Sequence, residues 1–353
     1  MNFTLTNAKI SEINCTFNPP LGASNLSNLP ERKKLSETIL VNKRFTLVLL
    51  LLFTAFFGFS QQNTLLTHYM FTTMSYNPGF AGSSEGISAT GLVRQQYIGF
   101  KADDGSKPGP QTYFLTIDSP LKFLHGGIAG FISQDKIAQF STINLKIGYA
   151  YRADLGPGNF GAGLQVGFVN TKIDFSKFDP FDKNDPALQG KTGKTSDFVV
   201  DLSLGAFYKV PEKYYIGISA DQLLQTKGTQ TNYQLRRHYY LTGGYYYPLP
   251  GKPAFELQPS ALLMFDGAVF QFQLAALLEY NKKFWGGVEY RFQDAVAILV
   301  GMNIKSIKVG LSFDIATSWM SANSNGGLEV MLNYCFKIKT EKFRKSYKNT
   351  RFL

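Results

Sequence analysis

Apolar residues recur at every second position along most of this chain. In Ser141–Arg152, STINLKIGYAYR, residues Ile143, Leu145, Ile147, Tyr149 and Tyr151 share one face, and Thr142, Asn144, Lys146, Gly148 and Arg152 share the other. Side chains of an extended strand alternate sides, so this period builds ribbons with one apolar and one polar face, not amphipathic helices. FQFQLAALLEY repeats it, with Phe270, Phe272, Leu274, Ala276, Leu278 and Tyr280 opposite Gln271, Gln273 and Glu279. LEVMLNYCFKIK sets Leu328, Val330, Leu332, Tyr334 and Phe336 against Glu329, Asn333 and Lys337. GISATGLVRQQY is weaker, with Ile87, Ala89, Val93 and Tyr97 against Ser88, Thr90, Arg94 and Gln96.

Fourteen segments of this kind are expected, near Gly86–Tyr97, Thr112–Ser119, Gly127–Gln134, Ser141–Leu155, Phe160–Asn170, Asp197–Tyr208, Tyr214–Asp221, Arg237–Tyr247, Phe255–Phe265, Val269–Tyr280, Lys283–Phe292, Ala295–Met302, Ile307–Phe313 and Gly326–Phe336. In Gly127–Gln134 and Ala295–Met302 both faces are apolar, so the pattern does not say which one turns inward.

Two architectures use many amphipathic strands. A soluble sandwich buries the apolar face; a membrane barrel turns it to lipid around a polar lumen. Segment length favours the barrel, because about ten tilted residues cross the hydrocarbon. So do the even count and the aromatic residues near segment ends, as in Tyr149/Tyr151, Tyr239/Tyr245/Tyr247 and Tyr290/Phe292, which resemble an interfacial girdle. Connector lengths agree. With the first strand starting in the periplasm, the long connectors Gly99–Gln111, Thr171–Ser196, Gln222–Leu235 and Asp314–Asn325 all fall outside, and brief ones such as GPGN, KVPEK and NK fall inside. The reading is an all-β chain: a transmembrane antiparallel β-barrel of about 14 strands over residues 86–336, integral to the outer membrane, with both termini periplasmic.

The stretch VNKRFTLVLLLLFTAFFGFSQQ begins at Val41. Its apolar part, Phe45–Phe59, is shorter than the roughly twenty residues of a spanning helix. Lys43 and Arg44 before it and Gly58-Phe59-Ser60 after it are the parts of a secretory signal peptide, expected over 41–60 with cleavage after Ser60. A signal peptide normally starts the chain, so residues 1–40 are expected to be an extension upstream of the true start, at a GTG codon for Val41. Residues 61–85 then form a plug or a periplasmic segment before the first strand. Residues 337–353 form a basic tail, with seven Lys/Arg against one Glu, read as a solvated periplasmic end or a contact for an acidic partner.

The net charge of +11 would suit nucleic acid, but an exported chain does not meet it, so no nucleic-acid partner is expected. Cys15 leaves with the leader and Cys335 stands alone, which excludes an internal disulfide in the processed chain.

Little in the sequence points to catalysis. His68, His125 and His238 have no ligand-spaced partners, so no metal or cofactor is expected. GNFGAGLQVG, with Gly158, Gly161, Gly163 and Gly167, has no helix after it and is read as barrel glycines, not a phosphate loop. The acidic loops ADDGSK and DKNDPA lack EF-hand spacing. An outer-membrane hydrolase would need His238 beside a Ser and an acid. The charges on lumen parity are Arg94, Lys146, Arg152, Asp201, Glu279, Glu289, Arg291 and Glu329. They read as a salt-bridge network that fixes the barrel's shape, or as the selectivity lining of a pore.

HYMFTTMSYNPGFAGS (His68–Ser83) and RQQYIGF (Arg94–Phe100) resemble the opening signature of the PorP/SprF family, outer-membrane proteins of the type IX secretion system in Bacteroidota, some tied to gliding motility. The resemblance continues through GGIAGFISQDKIAQFSTINLKIGYAYR, RHYYLTGGYYYPL, ELQPSALLMF, NKKFWGGVEYRFQDAVAILVGMNI and SNGGLEVMLNY, nearly all of Gln61–Phe336. The family's Trp in the first-strand motif is Tyr97 here, and seventeen residues follow Phe336 where the family commonly ends near the last strand. The resemblance implies a non-enzymatic component that aids export or surface attachment of cargo with C-terminal sorting domains, gliding adhesins among them. It also implies periplasmic partners linked to peptidoglycan and to the secretion motor. A passive porin or small-solute channel is the alternative. In the opening motif, Asn77-Pro78-Gly79 is a turn in which Gly permits a positive φ. His68, Tyr69, Met70, Phe71 and Tyr76 with Asn77 and Pro78 form either a plug in the barrel mouth or a partner-docking surface.

Overall fold

The computed structural model describes residues 63–100, 109–177, 193–231, 233–322 and 324–337. The expected leader and the extension before it, both acidic loops and the tail after Lys337 lie outside the described residues.

The strands follow one another as β1 (Gly86–Gln95), β2 (Gln111–Leu121), β3 (Gly126–Ile137), β4 (Phe140–Leu155), β5 (Gly158–Asp174), β6 (Lys194–Val210), β7 (Tyr214–Asp221), β8 (His238–Tyr245, resuming at Tyr247–Pro248), β9 (Phe255–Phe265), β10 (Phe270–Tyr280), β11 (Phe284–Arg291), β12 (Ala295–Ile304), β13 (Ile307–Ala316) and β14 (Gly327–Lys337). Each pairs antiparallel with its neighbours in sequence. The last pairs with the first, from Gly86↔Lys337 to Gln95↔Leu328. The sheet is therefore a closed barrel of fourteen strands, and closure leaves no edge whose backbone groups lipid would strand.

The apolar parity faces out. Ile147 is 61% exposed and Leu274 48%, while Lys146 beside Ile147 is 1% exposed. This rules out a sandwich, in which the greasy face would be dry. Exposed aromatic rings stand near both rims, Tyr151, Tyr245, Tyr280 and Phe284 at one and Tyr239, Phe270 and Tyr290 at the other.

The two doubtful segments resolve for one physical reason. In Ala295–Ile304, Val296, Ile298 and Val300 point out, while Ala297 and Leu299 are buried. Their inner face is apolar because it packs with Leu66, Met70 and Phe71 from the segment before the barrel. Phe131 of β3 belongs to the same cluster.

Three local differences from the sequence reading stand out. Strands β5 and β6 run past Phe160–Asn170 and Asp197–Tyr208, to Asp174 and from Lys194, because the polar ends Lys172–Asp174 and Lys194–Ser196 keep pairing beyond the apolar belt. Strand β8 breaks at Tyr246, whose N–H turns to the Lys213 carbonyl at 2.7 Å. The four long connectors share one rim as expected, but Ala138–Gln139, Asp266–Val269 and Phe292–Asp294 make short turns at that same rim. The termini of the barrel, Gly86 and Lys337, share the short-turn rim.

Candidate functional site

Residues 63–85 do not lie beside the barrel; they run through it. They form three short 3₁₀ turns, Tyr69–Phe71, Thr73–Ser75 and Pro78–Phe80, linked without regular structure. Such a segment lacks a continuous ladder, so its backbone groups need partners from the wall. The wall supplies them at two places.

The first is a charged cluster near the long-connector rim. Glu329 of β14 accepts from the Thr67 N–H (3.0 Å) and the His68 N–H (2.8 Å), and its Oε1 lies 2.6 Å from His68 Nδ1. The Thr67 hydroxyl donates to Asp314 of β13 at 2.8 Å and accepts from Arg291 of β11 at 3.0 Å. Arg94 of β1 pairs with Asp314 at 2.7 Å, lies 3.6 Å from Glu329 and donates to the Leu65 carbonyl. Arg291 also reaches Asp294 (2.9 Å) and Glu289 (3.5 Å). Two guanidiniums thus face four carboxylates, so each buried charge has one of opposite sign beside it. The His68 ring rests edge-on against Trp285, 6.0 Å between centroids.

The second place is a seat of small residues toward the short-turn rim. Asn77 caps its own turn by accepting from the Gly79 N–H at 2.9 Å, and donates to the Ala206 carbonyl at 3.1 Å. Gly79 has no positive φ, contrary to the reading of this turn from sequence. Glycine is required there because a Cβ would stand 2.9 Å from the Gly161 oxygen and the Ala206 carbonyl carbon. Gly161 and Gly163, read as mere barrel glycines, form the inner surface of β5 on which Pro78 and Gly79 lie. Ser219 of β7 donates to the Tyr76 carbonyl at 2.5 Å, and Arg152 of β4 to the Gly79 and Ala81 carbonyls. Between the two places the Tyr69 hydroxyl meets Ser260 of β9 at 2.9 Å. The Tyr69 and Tyr76 side chains are both buried, and the Tyr76 hydroxyl donates to the Tyr69 carbonyl at 3.3 Å.

The remaining lumen charges fall elsewhere. Lys146 pairs with Asp221 of β7, which also accepts from Ser203 at 2.5 Å. Asp201 is fully buried on the same stretch of wall, flanking Gly167 opposite Lys146. Glu279 is half-buried and accepts from Gln258 (2.7 Å) and Asn303 (3.1 Å) near the short-turn rim. Asp314, Asp221 and Thr67 went unnoticed in the sequence. The signal for Asp314 was there: it continues the inward parity of Ser312 one step past the expected strand end.

His238 bonds the Arg236 carbonyl at 2.8 Å and lies across the ladder from Asp221. The nearby Ser203 hydroxyl is spent on that carboxylate, not on an imidazole, which is not the order a hydrolase needs. Among the described residues no group of three or more His, Cys, Asp or Glu is placed to hold a metal ion.

The segment separates two cavities that share no lining residue. One, of 390 Å³, opens toward the long connectors between Asn63–Leu66, Phe114, Phe140, Leu235 and Met264. The other, of 350 Å³, lies toward the short turns among Met70, Phe71, Lys209, Tyr246, Glu279 and Lys308.

The family model described as type IX secretion system membrane protein PorP/SprF matches residues 58–334. No curated protein matches the chain. Among solved structures, the toluene transporter TbuX of Ralstonia pickettii is 11% identical with a TM-score of 0.46, covering 75% of this chain and 93% of that one. The CymD monoaromatic hydrocarbon channel is 11% identical with a TM-score of 0.44, covering 80% and 96%. Outer membrane protein Omp33 of Acinetobacter baumannii is 10% identical with a TM-score of 0.41, covering 71% and 98%. At these identities and TM-scores the likeness says nothing of what this chain does.

Proposed function

The chain belongs to the PorP/SprF family of type IX secretion system membrane proteins, and from that premise we propose that it is an outer-membrane adaptor without catalytic activity. In this reading it aids export or surface attachment of sorting-domain cargo by binding partners, and it does not conduct solutes. The observation that carries the reading is the lumen: a channel needs a continuous wet path, whereas here Thr67–Gly82 lies bonded across it. Arg94, Arg152, Arg291 and Glu329 serve this arrangement as clamps. An ion pathway would present a ring of one sign, and the cluster of Arg94, Arg291, Asp314 and Glu329 mixes both.

Outer-membrane barrels keep short turns in the periplasm and long loops outside. On that rule the long connectors meet cargo. The short turns, with the basic tail 337–353, meet periplasmic components linked to peptidoglycan. In this reading a signal peptide at 41–60 is removed after Ser60 on export.

Crosslinking in cells, through cysteines placed at Gln230 among the long connectors and at Lys282 in a short turn, tests the reading. The Lys282→Cys variant is expected to capture a secretion component and Gln230→Cys a sorting domain. Recovery of neither, from protein shown to be folded, overturns it.

A further inference from the structure

The chain threads its own barrel from the long-connector side. Asn63 is the first described residue, and its side chain bonds Gln222 at 3.2 Å and the Tyr240 hydroxyl at 2.9 Å. Gln222 directly follows β7 at its long-connector end, where Asp221 pairs with His238. Asn63, Thr64 and Leu65 line the cavity on that side. Nineteen residues on, Gly82 packs against Gly127 and Pro120, at the short-turn ends of β3 and β2. Ser84 bonds Asp118 at 3.2 Å, and β1 begins at the short-turn rim. The segment therefore descends the whole depth of the lumen before the first strand climbs back. The expectation that the processed chain begins on the same side as its C-terminal strand ends does not follow from such a path.

We infer that the processed N-terminus opens into the cavity on the long-connector side, opposite the end of the last strand. The inference rests on cleavage after Ser60. Gln61 is then two residues from Asn63, and two extended residues span at most about 7 Å. That is too short to return to the other rim, because the intervening wall strands have eight or more residues at about 3.3 Å each. The floor of the cavity is the segment itself, held by the Glu329 cluster and the glycine seat, so the N-terminus has no route down the lumen. Two consequences follow. A leader still attached could not coexist with the seated segment without leaving through the outer mouth, so seating comes after cleavage. And anything joined to the N-terminus is displayed at the cell surface.

The test uses the full-length precursor in cells, with Cys335→Ser as background. Asn63→Cys is treated with a membrane-impermeant maleimide, with Gln230→Cys marking the long-connector side and Lys282→Cys the short-turn side. An epitope inserted between Ser60 and Gln61 is probed with antibody on intact cells. Asn63→Cys is expected to label from the same side as Gln230→Cys, and the epitope to be detected without permeabilisation. Labelling of Asn63→Cys together with Lys282→Cys, only after permeabilisation, overturns the threading. If instead Gln230→Cys itself requires permeabilisation while Lys282→Cys does not, the barrel's orientation is wrong and the threading is judged by which of the two Asn63→Cys follows. Asn63→Cys keeps the question open to refutation where the epitope blocks seating, and terminal sequencing of the purified protein checks the cleavage site separately.

Discussion

His68 Nδ1 lies 2.6 Å from Glu329 Oε1, with both side chains fully buried and 261 residues apart in sequence. The contact ties the segment before the barrel to the last strand, and β14 in turn closes the barrel on β1. The same carboxylate takes two backbone N–H groups from the segment. Losing one partner of a buried charge pair costs about 3–5 kcal/mol. Glu329→Ala is therefore expected to destabilise the folded barrel by that order. Glu329→Gln, which keeps an acceptor for one of the two N–H groups, is expected to cost less. Urea unfolding of the purified protein in detergent, followed by the mobility shift of the folded form, measures both; equal loss in the two variants would contradict the bonding described.

The glycine seat predicts a different phenotype. A side chain at Gly163 would meet the Pro78 carbonyl. Gly163→Leu leaves the outward face of β5 untouched, so the barrel is expected to insert. Residues 63–85 are expected to lose their seat and become open to protease, where the parent protein resists. Limited proteolysis with mass mapping reads the outcome.

Lys146 stands among more negative than positive charge. Asp221 pairs with it and Asp201 is buried on the same stretch of wall. Lys146→Met leaves two buried carboxylates without their cation, whereas Asp221→Asn leaves one lysine with one carboxylate. The lysine variant is expected to lose more stability, by about 2 kcal/mol or more. Comparing the midpoints of urea unfolding checks the order.

The lipid-facing parity can be tested at mid-strand. Ile147 lies halfway along β4 and is exposed, and its neighbour Lys146 faces inward. Ile147→Lys is expected to cost about 2–4 kcal/mol of folding into bilayers, the penalty for a lysine at the membrane midplane. Folding yield in vesicles, against a lysine at the rim-side position Tyr151, measures the depth dependence.

The barrel was largely legible from sequence because a strand's period is local: Ile143, Leu145 and Ile147 announce their face within five residues. Where the inner face is also apolar, as at Ala297 and Leu299, the period is silent, and only the contact with Leu66 and Phe71 explains it. The lumen segment was read no further than plug or docking surface, because its partners are distant in the chain. No pattern near Thr67 or His68 points to Glu329, and no pattern near Gly79 points to Gly161. The eight inward charges were found by parity alone. Their pairing, and the part played by Asp314 and Asp221, depends on which strands closure brings together.

The central claim is that this lumen is occupied by its own N-terminal segment and does not serve as a pore. Single-channel recording on the processed protein in a planar bilayer tests it most directly. Long closed records are expected from the intact protein, and steady conductance from a variant lacking residues 63–82. Steady, ohmic current through the intact protein without any partner would contradict the account.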